Sequence, residues 1–242
     1  MMILGMSLKI ENRKKVLKIS IWGVVILLFL LAFLRVVTFE KDYYSSKEGS
    51  ERAVAYSDDG DNGAPGAVVL EELNEEEPKV EEVREYTVAP DRPRYLMIDK
   101  LGITRARILP MGVDATGALD TPRNIFDVGW FVGSGKPGTG GTMIIDGHNG
   151  GPHVNGVFKK LPNLSAGDII VIERGDGVKF SYRVVENKTV PLSEADAYMG
   201  VASQSPEQGK ESVTLITCTG EWSQQRQTYL SRQFTRAVLV EN

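Results

Sequence analysis

The only cysteine of this 242-residue chain, Cys218, closes a β-rich run, Thr-Leu-Ile-Thr-Cys, at residues 214–218. A strand that ends on a lone thiol is typical of a nucleophile presented at the edge of a sheet. One of the two histidines, His148, closes a second β-rich run, and an arginine-bearing strand at 229–240 follows the cysteine. A cysteine, a histidine and an arginine beside three strands indicate acyl transfer through a thioester.

The histidine can be chosen from its local sequence. His148 follows Thr-Met-Ile-Ile-Asp-Gly directly, whereas His153 comes five residues later, behind two glycines and a proline. A buried strand fixes the residue that follows it, so we expect His148 to be the catalytic base. Asp146 could tune this histidine or could serve as a backbone acceptor at the strand end.

Three arginines follow the cysteine. Arg226 lies among Gln and Thr residues in a predicted loop, while Arg232 and Arg236 are four residues apart and share one face of a regular strand. The pattern favours these two over Arg226. Trp222 is expected either to form an aromatic wall of a groove or to pack beneath the loop.

Composition excludes several classes of protein. A single cysteine excludes an internal disulfide, a CxxC redox pair and a Cys-rich zinc site. The two histidines lie in one Gly-rich stretch, which is a poor metal site, and we predict neither a metal nor a cofactor. Residues 92–242 carry 17 Lys/Arg against 15 Asp/Glu, with no basic stripe, so nucleic acid is not an expected partner.

The N-terminal region predicts a membrane anchor. Residues 19–37 are apolar, with no charge before Arg35, and a basic segment at 1–18 precedes them. About 20 apolar residues span a bilayer, and the positive-inside rule places 1–18 in the cytoplasm and the rest outside. The rival interpretation is a cleaved signal peptide, but the apolar run exceeds a typical h-region and no clear cleavage site follows. We therefore expect a single-pass protein of the cell membrane, in contact with lipid through this helix.

Two further regions follow the anchor. Residues 38–91 carry 16 Asp/Glu against five Lys/Arg and few large apolar residues, which predicts an acidic flexible spacer. Residues 92–242 predict the catalytic domain, with about eight short strands, a hairpin turn at Arg-Gly-Asp-Gly (174–177) and short helices at 155–161 and 193–198. So many short strands at close spacing indicate an all-β domain, either a barrel or a sandwich.

Residues 93–242 resemble a sortase, a membrane-anchored cysteine transpeptidase. The resemblance rests on Thr-Leu-Ile-Thr-Cys at 214–218, on Gly147-His148 at a strand end and on the later arginine strand. It implies an eight-stranded closed β-barrel. It also implies cleavage of an LPxTG-like sorting signal after its threonine and transfer of the acyl group to an amine of the cell wall or surface. The spacer and the plain domain favour a class D, E or F type over a pilin type.

The resemblance also assigns residues to roles. Cys218 would be the nucleophile and His148 the acid and base. Arg232, near the start of the last strand, would bind substrate and stabilise the oxyanion, which leaves Arg236 as a solvent-facing strand residue. Thr217 is expected to orient substrate through its hydroxyl or to serve as an ordinary strand residue. Two alternatives stay open: an endopeptidase that sends the thioester to water, and an inactive surface domain that binds peptide.

Overall fold

The computed structural model describes residues 73–113 and 117–240. The predicted cytoplasmic segment, the anchor at 19–37 and the spacer up to residue 72 lie outside these residues. Among the helices of the described residues, none combines the length and the apolar character that crossing a membrane requires.

Eight strands form a closed barrel. They are β1 (Pro93–Ile98), β2 (Ile103–Met111), β3 (Val128–Phe131), β4 (Thr142–Gly147), β5 (Ile169–Arg174), β6 (Lys179–Pro191), β7 (Ser212–Ser223) and β8 (Thr228–Leu239). Around the barrel their order is β1-β2-β3-β4-β7-β8-β6-β5. The β2–β3 and β4–β7 pairs are parallel, and the other pairs are antiparallel. The predicted all-β barrel is confirmed.

The strands bury apolar residues on both faces. The inner face fills the barrel with alternate residues of the strands, among them Leu96, Ile108, Met143, Ile145, Ile172 and Leu215. A second, smaller cluster lies outside the barrel and comprises Ile144, Val190, Ala202, Ile216 and Phe234. Because side chains alternate along a strand, Ile144 and Ile145 of β4 face opposite clusters. The sheet therefore has a covered outer face around β4, β7 and β8.

The helices are short. Helix α1 spans Val80–Glu85 and helix α2 spans Leu192–Ala202, with 3₁₀ turns at Asp99–Leu101 and Leu161–Asn163. The helix predicted at 193–198 lies within α2, and the hairpin predicted at 174–177 joins β5 to β6. The helix predicted at 155–161 is wrong. The backbone N–H of Gly156 and that of Phe158 donate to the carbonyls of Asn149 and His148, which draws this segment onto the end of β4.

Residues 73–91 contact the barrel, although the predicted acidic spacer extends to residue 91. Asn74 forms a β-bridge with Asn124, and the Tyr86 hydroxyl donates to the carbonyl of Ile108 at 2.6 Å. The Tyr86 carbonyl in turn accepts from the Arg94 guanidinium at 2.8 Å. The hydrogen bonds of this segment therefore offset part of the ordering cost that its acidic composition implies.

Candidate active site

Strand register brings Cys218 level with Arg232 and His148. Strands β7 and β8 pair Cys218 with Arg232 directly. Strands β4 and β7 run parallel and pair residues 142–146 with residues 212–216. The Thr217 hydroxyl donates to the Gly147 carbonyl at 2.7 Å, which continues this alignment by one residue. His148, the next residue, therefore comes level with Cys218.

All three side chains lie on the outer face of the barrel. Ile216 and Phe234 pair across β7 and β8 and belong to the outer apolar cluster. Cys218 and Arg232 are each two residues away from this pair, and a period of two places them on the same face. His148 follows Ile144 of the same cluster by four residues. The structure thus brings together the three residues that the sequence predicted to act together.

Cys218 is a free, half-buried thiol. Burial raises the pKa of Cys218 above its ordinary value, because a thiolate is poorly solvated there. The Arg232 guanidinium acts against this rise, and the Asp146 carboxylate adds to it. The neutral thiol therefore predominates in the free protein near neutral pH.

His148 is half-buried and bonded through one ring nitrogen. Its Nε2 lies 2.7 Å from the carbonyl oxygen of Pro122. A carbonyl can only accept, so Nε2 carries the proton and Nδ1 of the neutral ring carries a lone pair. Burial lowers the pKa of His148, and the Pro122 hydrogen bond opposes that effect. The imidazole is therefore neutral at rest and has one nitrogen ready to take a proton.

His153 lies in a different environment. Its side chain is 82% exposed, and its Nδ1 contacts the Glu75 carboxylate at 2.9 Å. Glu75 also accepts from the backbone N–H of His153 at 2.9 Å and from that of Val154 at 3.1 Å. His153 therefore helps to attach the loop after β4 to the N-terminal segment.

The Arg232 guanidinium lies over the start of β8. Its Nη1 donates to the carbonyls of Tyr229 and Ser231 at 2.9 and 3.1 Å, and its Nη2 donates to the Thr228 hydroxyl at 3.2 Å. These bonds fix the planar group at the start of β8, and its charge lowers the pKa of the Cys218 thiol on the facing strand. Arg226, by contrast, is exposed in the turn between β7 and β8.

Arg236 is buried, and its predicted solvent-facing position is wrong. Its Nη1 contacts the Glu186 carboxylate of β6 at 2.6 Å. Its Nη2 donates to the carbonyls of Val201 and Gln204 at 3.1 and 3.0 Å, at the end of α2. Arg236 does share the outer face with Arg232, as the four-residue spacing predicted, but α2 covers the face at Arg236.

Thr217, which the sequence interpretation assigned to substrate binding, is 3% exposed. Its hydroxyl donates to the carbonyl of Gly147 inside the protein. This bond joins the end of β4 to β7 immediately beside His148 and Cys218. The contact gives Thr217 a part in aligning those two residues.

Sequence reasoning missed the backbone partner of His148. The Pro122 carbonyl lies 26 positions away in the chain, and a backbone acceptor has no side-chain signature. The Thr121 hydroxyl donates to the Asp146 carboxylate at 2.8 Å, and it was also missed because the two residues are 25 positions apart in the chain. Within residues 73–113 and 117–240, no group of three or more His, Cys, Asp or Glu side chains is arranged to hold a metal ion.

A family model of the sortase domain matches residues 96–240. The chain belongs to the sortase family. This assignment agrees with the closed eight-stranded barrel. No curated protein sequence matches the chain.

The chain is similar to several solved sortases. Sortase A from Corynebacterium diphtheriae shares 23% identity over 64% of this chain and 63% of its own, with a TM-score of 0.45. The lid mutant of Streptococcus agalactiae sortase C1 shares 21% identity over 68% and 77%, also with a TM-score of 0.45. A Clostridium perfringens sortase D5 transpeptidase shares 22% identity over 66% and 86%, with a TM-score of 0.44. The match covers less than two thirds of the length of the first of these relatives. The sortase subclass of this chain stays a prediction.

Proposed function

We propose that this protein is a sortase transpeptidase that cleaves an LPxTG-like sorting signal and transfers the protein bearing it to an amine of the cell surface. The observation that carries the proposal is the common level of His148, directly after β4, with Cys218 on β7 and Arg232 on β8. We also propose that residues 19–37 anchor the chain in the cell membrane, with the barrel outside the cell.

The first half of the reaction forms a thioester. Proton transfer from the Cys218 thiol to Nδ1 of His148 gives a thiolate and an imidazolium. The thiolate attacks the threonyl carbonyl carbon of the bound peptide, and the carbonyl becomes a tetrahedral oxyanion. The intermediate collapses as the Thr–Gly bond breaks, and the imidazolium gives its proton to the leaving amine. The products are the threonyl thioester of Cys218 and neutral His148.

The second half transfers the acyl group. An incoming amine attacks the thioester carbonyl, and His148 takes the proton that the amine loses. The second tetrahedral intermediate expels the Cys218 thiolate, and the new amide leaves. The thiolate then recovers the proton from the imidazolium. One amide bond replaces another, so no external oxidant, reductant or energy source is needed.

Arg232 supports both tetrahedral intermediates. A guanidinium stays charged at any working pH and presents several donors in one plane. Its position opposite Cys218 suits it to bind the substrate backbone and the oxyanion. The resting contacts to Tyr229, Ser231 and Thr228 hold the group at the start of β8, and within residues 73–113 and 117–240 it forms no ion pair. Its charge lowers the pKa of the Cys218 thiol.

Product analysis tests this proposal. Residues 73–242 would be incubated with an LPxTG peptide, with and without triglycine, and the products weighed by mass spectrometry. We expect a ligated product with triglycine, and its loss in Cys218→Ala and His148→Ala. Arg232→Lys should lose about 10²–10³ in rate, as for other lost oxyanion donors.

Two matched variants serve as controls. Arg226→Lys and His153→Gln change an arginine and a histidine outside the three-residue site and should retain activity. Hydrolysis alone, with triglycine present, would favour the endopeptidase instead. Binding without cleavage would favour the inactive domain.

A further inference from the structure

Asp146 and His148 are connected by hydrogen bonds through Thr121 and Pro122, two residues of the loop before β3. Asp146 lies on the outer face of β4, two residues before His148, which directly follows the strand. Its Oδ2 accepts the hydroxyl hydrogen bond of Thr121 at 2.8 Å. The next residue, Pro122, offers the carbonyl that accepts from Nε2 of His148 at 2.7 Å. Two hydrogen bonds and one peptide link therefore lead from the carboxylate back to the imidazole.

We propose that Asp146 is a positioning residue for His148, acting through Thr121 and the carbonyl of Pro122. The inference rests on the proposed acid–base role of His148. By holding Thr121, the carboxylate fixes the Pro122 carbonyl, which selects the tautomer protonated at Nε2. The lone pair on Nδ1 is then available to the thiol and to the amines of the reaction.

Hydrogen bonds hold this loop on both sides of Pro122. Pro122 has no backbone N–H and so cannot donate a backbone hydrogen bond of its own. After it, the carbonyl of Arg123 accepts from the N–H of Asn74 at 3.0 Å, and the N–H of Ile125 donates to the carbonyl of Asn74 at 3.1 Å. These two bonds fix the far end of the loop. Before it, the N–H of Asp120 donates to the carbonyl of Gly112 at 3.2 Å, and the hydroxyl of the exposed Thr121 adds its contact with Asp146.

The neighbouring strand leaves room for this arrangement. Gly129 of β3 pairs with Asp146 across the sheet. A Cβ atom on Gly129 would lie 2.5 Å from Oδ1 of Asp146 and 3.1 Å from Cδ of Pro122. The bare backbone at Gly129 therefore admits both the carboxylate and the proline ring.

Electrostatics favour a positional role over a direct one. Burial raises the pKa of Asp146 to about 7, and the Thr121 hydrogen bond opposes the rise. The charged carboxylate raises the pKa of the Cys218 thiol, which works against forming the nucleophile. The pKa of His148 is shifted by burial and by Pro122. Asp146 is thus placed to act on the imidazole through the loop.

The test reads the tautomer of His148 directly. His153→Gln leaves His148 as the only histidine, so long-range ¹H–¹⁵N spectra report one ring. In this background we expect the Nε2–H tautomer, a mixture of tautomers in Thr121→Val, and recovery in Thr121→Ser. Thr139→Val, which removes another exposed threonine hydroxyl, one that donates to the backbone carbonyl of Lys136 at 3.0 Å, should change nothing.

Kinetics give the second readout. In Thr121→Val we expect kcat to fall about tenfold to a hundredfold, as for other misplaced catalytic groups, with KM little changed. Asp146→Ala should do the same, and the double variant should be no worse than either single one. An unchanged tautomer and an unchanged kcat in Thr121→Val would overturn the proposal, as would additive losses. A shifted tautomer in a protein that cleaves no peptide would support the positioning and refute the proposed function.

Discussion

Both Arg232 and Arg236 lie on the outer face of β8, but we expect them to have different roles. Arg236 should contribute to the stability of the fold, and Arg232 should contribute to catalysis. Arg236→Ala removes the ion pair with Glu186 and two hydrogen bonds to carbonyls at the end of α2. The Glu186 side chain is 35% exposed, so solvent screening limits the ion pair to about 1 kcal/mol. The two carbonyl bonds add about 1 kcal/mol each. The free energy of unfolding should therefore fall by about 3 kcal/mol.

The lysine variant refines this expectation. A compact ammonium can keep the contact with Glu186 but loses both bonds to the carbonyls, so Arg236→Lys should cost about 2 kcal/mol. At about 2–4 °C per kcal/mol for a domain of this size, Tm should fall by about 6–12 °C for alanine and about 4–8 °C for lysine.

The assay separates stability from chemistry. Thermal unfolding followed by circular dichroism gives Tm, and kcat/KM on a sorting peptide is measured well below the transition. We expect Arg236 variants to lose Tm and keep kcat/KM, and Arg232→Lys to show the reverse pattern. Loss of kcat/KM in Arg236→Lys at unchanged Tm would refute the reasoning and move the catalytic role to Arg236.

Three further predictions concern pH and folding. Burial lowers the pKa of His148 and raises that of Cys218, so the plot of kcat/KM against pH should be bell-shaped. The value of kcat/KM should fall below the ordinary histidine pKa of about 6.5 and above the ordinary cysteine pKa of about 8.5. A profile with only one titration step, between these two values, would contradict this. A chain beginning at residue 93 loses the bonds made by Asn74 and Tyr86, so its Tm should lie about 5–10 °C below that of residues 73–242 in a calorimetric scan; equal Tm values would show that this segment adds nothing. Tyr182→Phe leaves the buried Glu211 carboxylate without one of its donors, so urea unfolding should show a loss of about 1–3 kcal/mol with kcat/KM retained; an unchanged midpoint would contradict this.

Much of the fold follows from local patterns. The strands are short apolar runs with turn residues between them, and the Arg-Gly-Asp-Gly turn predicts its hairpin directly. Cys218 and His148 could be found because each closes such a run. The prediction of a helix at 155–161 was wrong because backbone N–H groups of this segment donate to carbonyls at the end of β4. No local sequence pattern predicts such a contact.

The rest of the site depends on pairings distant in the chain. The burial of Arg236 requires both Glu186 and α2, and the tautomer of His148 requires the carbonyl of Pro122. The attachment of residues 73–91 to the barrel likewise depends on partners such as Asn124. The two-residue period of a strand predicts the face on which a side chain lies. The elements that cover that face come from distant parts of the chain, so the strand pattern does not predict them.

The most direct test of the central claim is capture of the acyl-enzyme at Cys218. Residues 73–242 would be mixed with excess LPxTG peptide, quenched in acid within one turnover and weighed intact, with peptide mapping to locate the adduct. We expect a mass increase equal to the peptide up to its threonine, confined to Cys218, that disappears when triglycine is added before the quench. Cleavage of the peptide with no adduct at Cys218, or cleavage that persists in Cys218→Ala, would contradict the account.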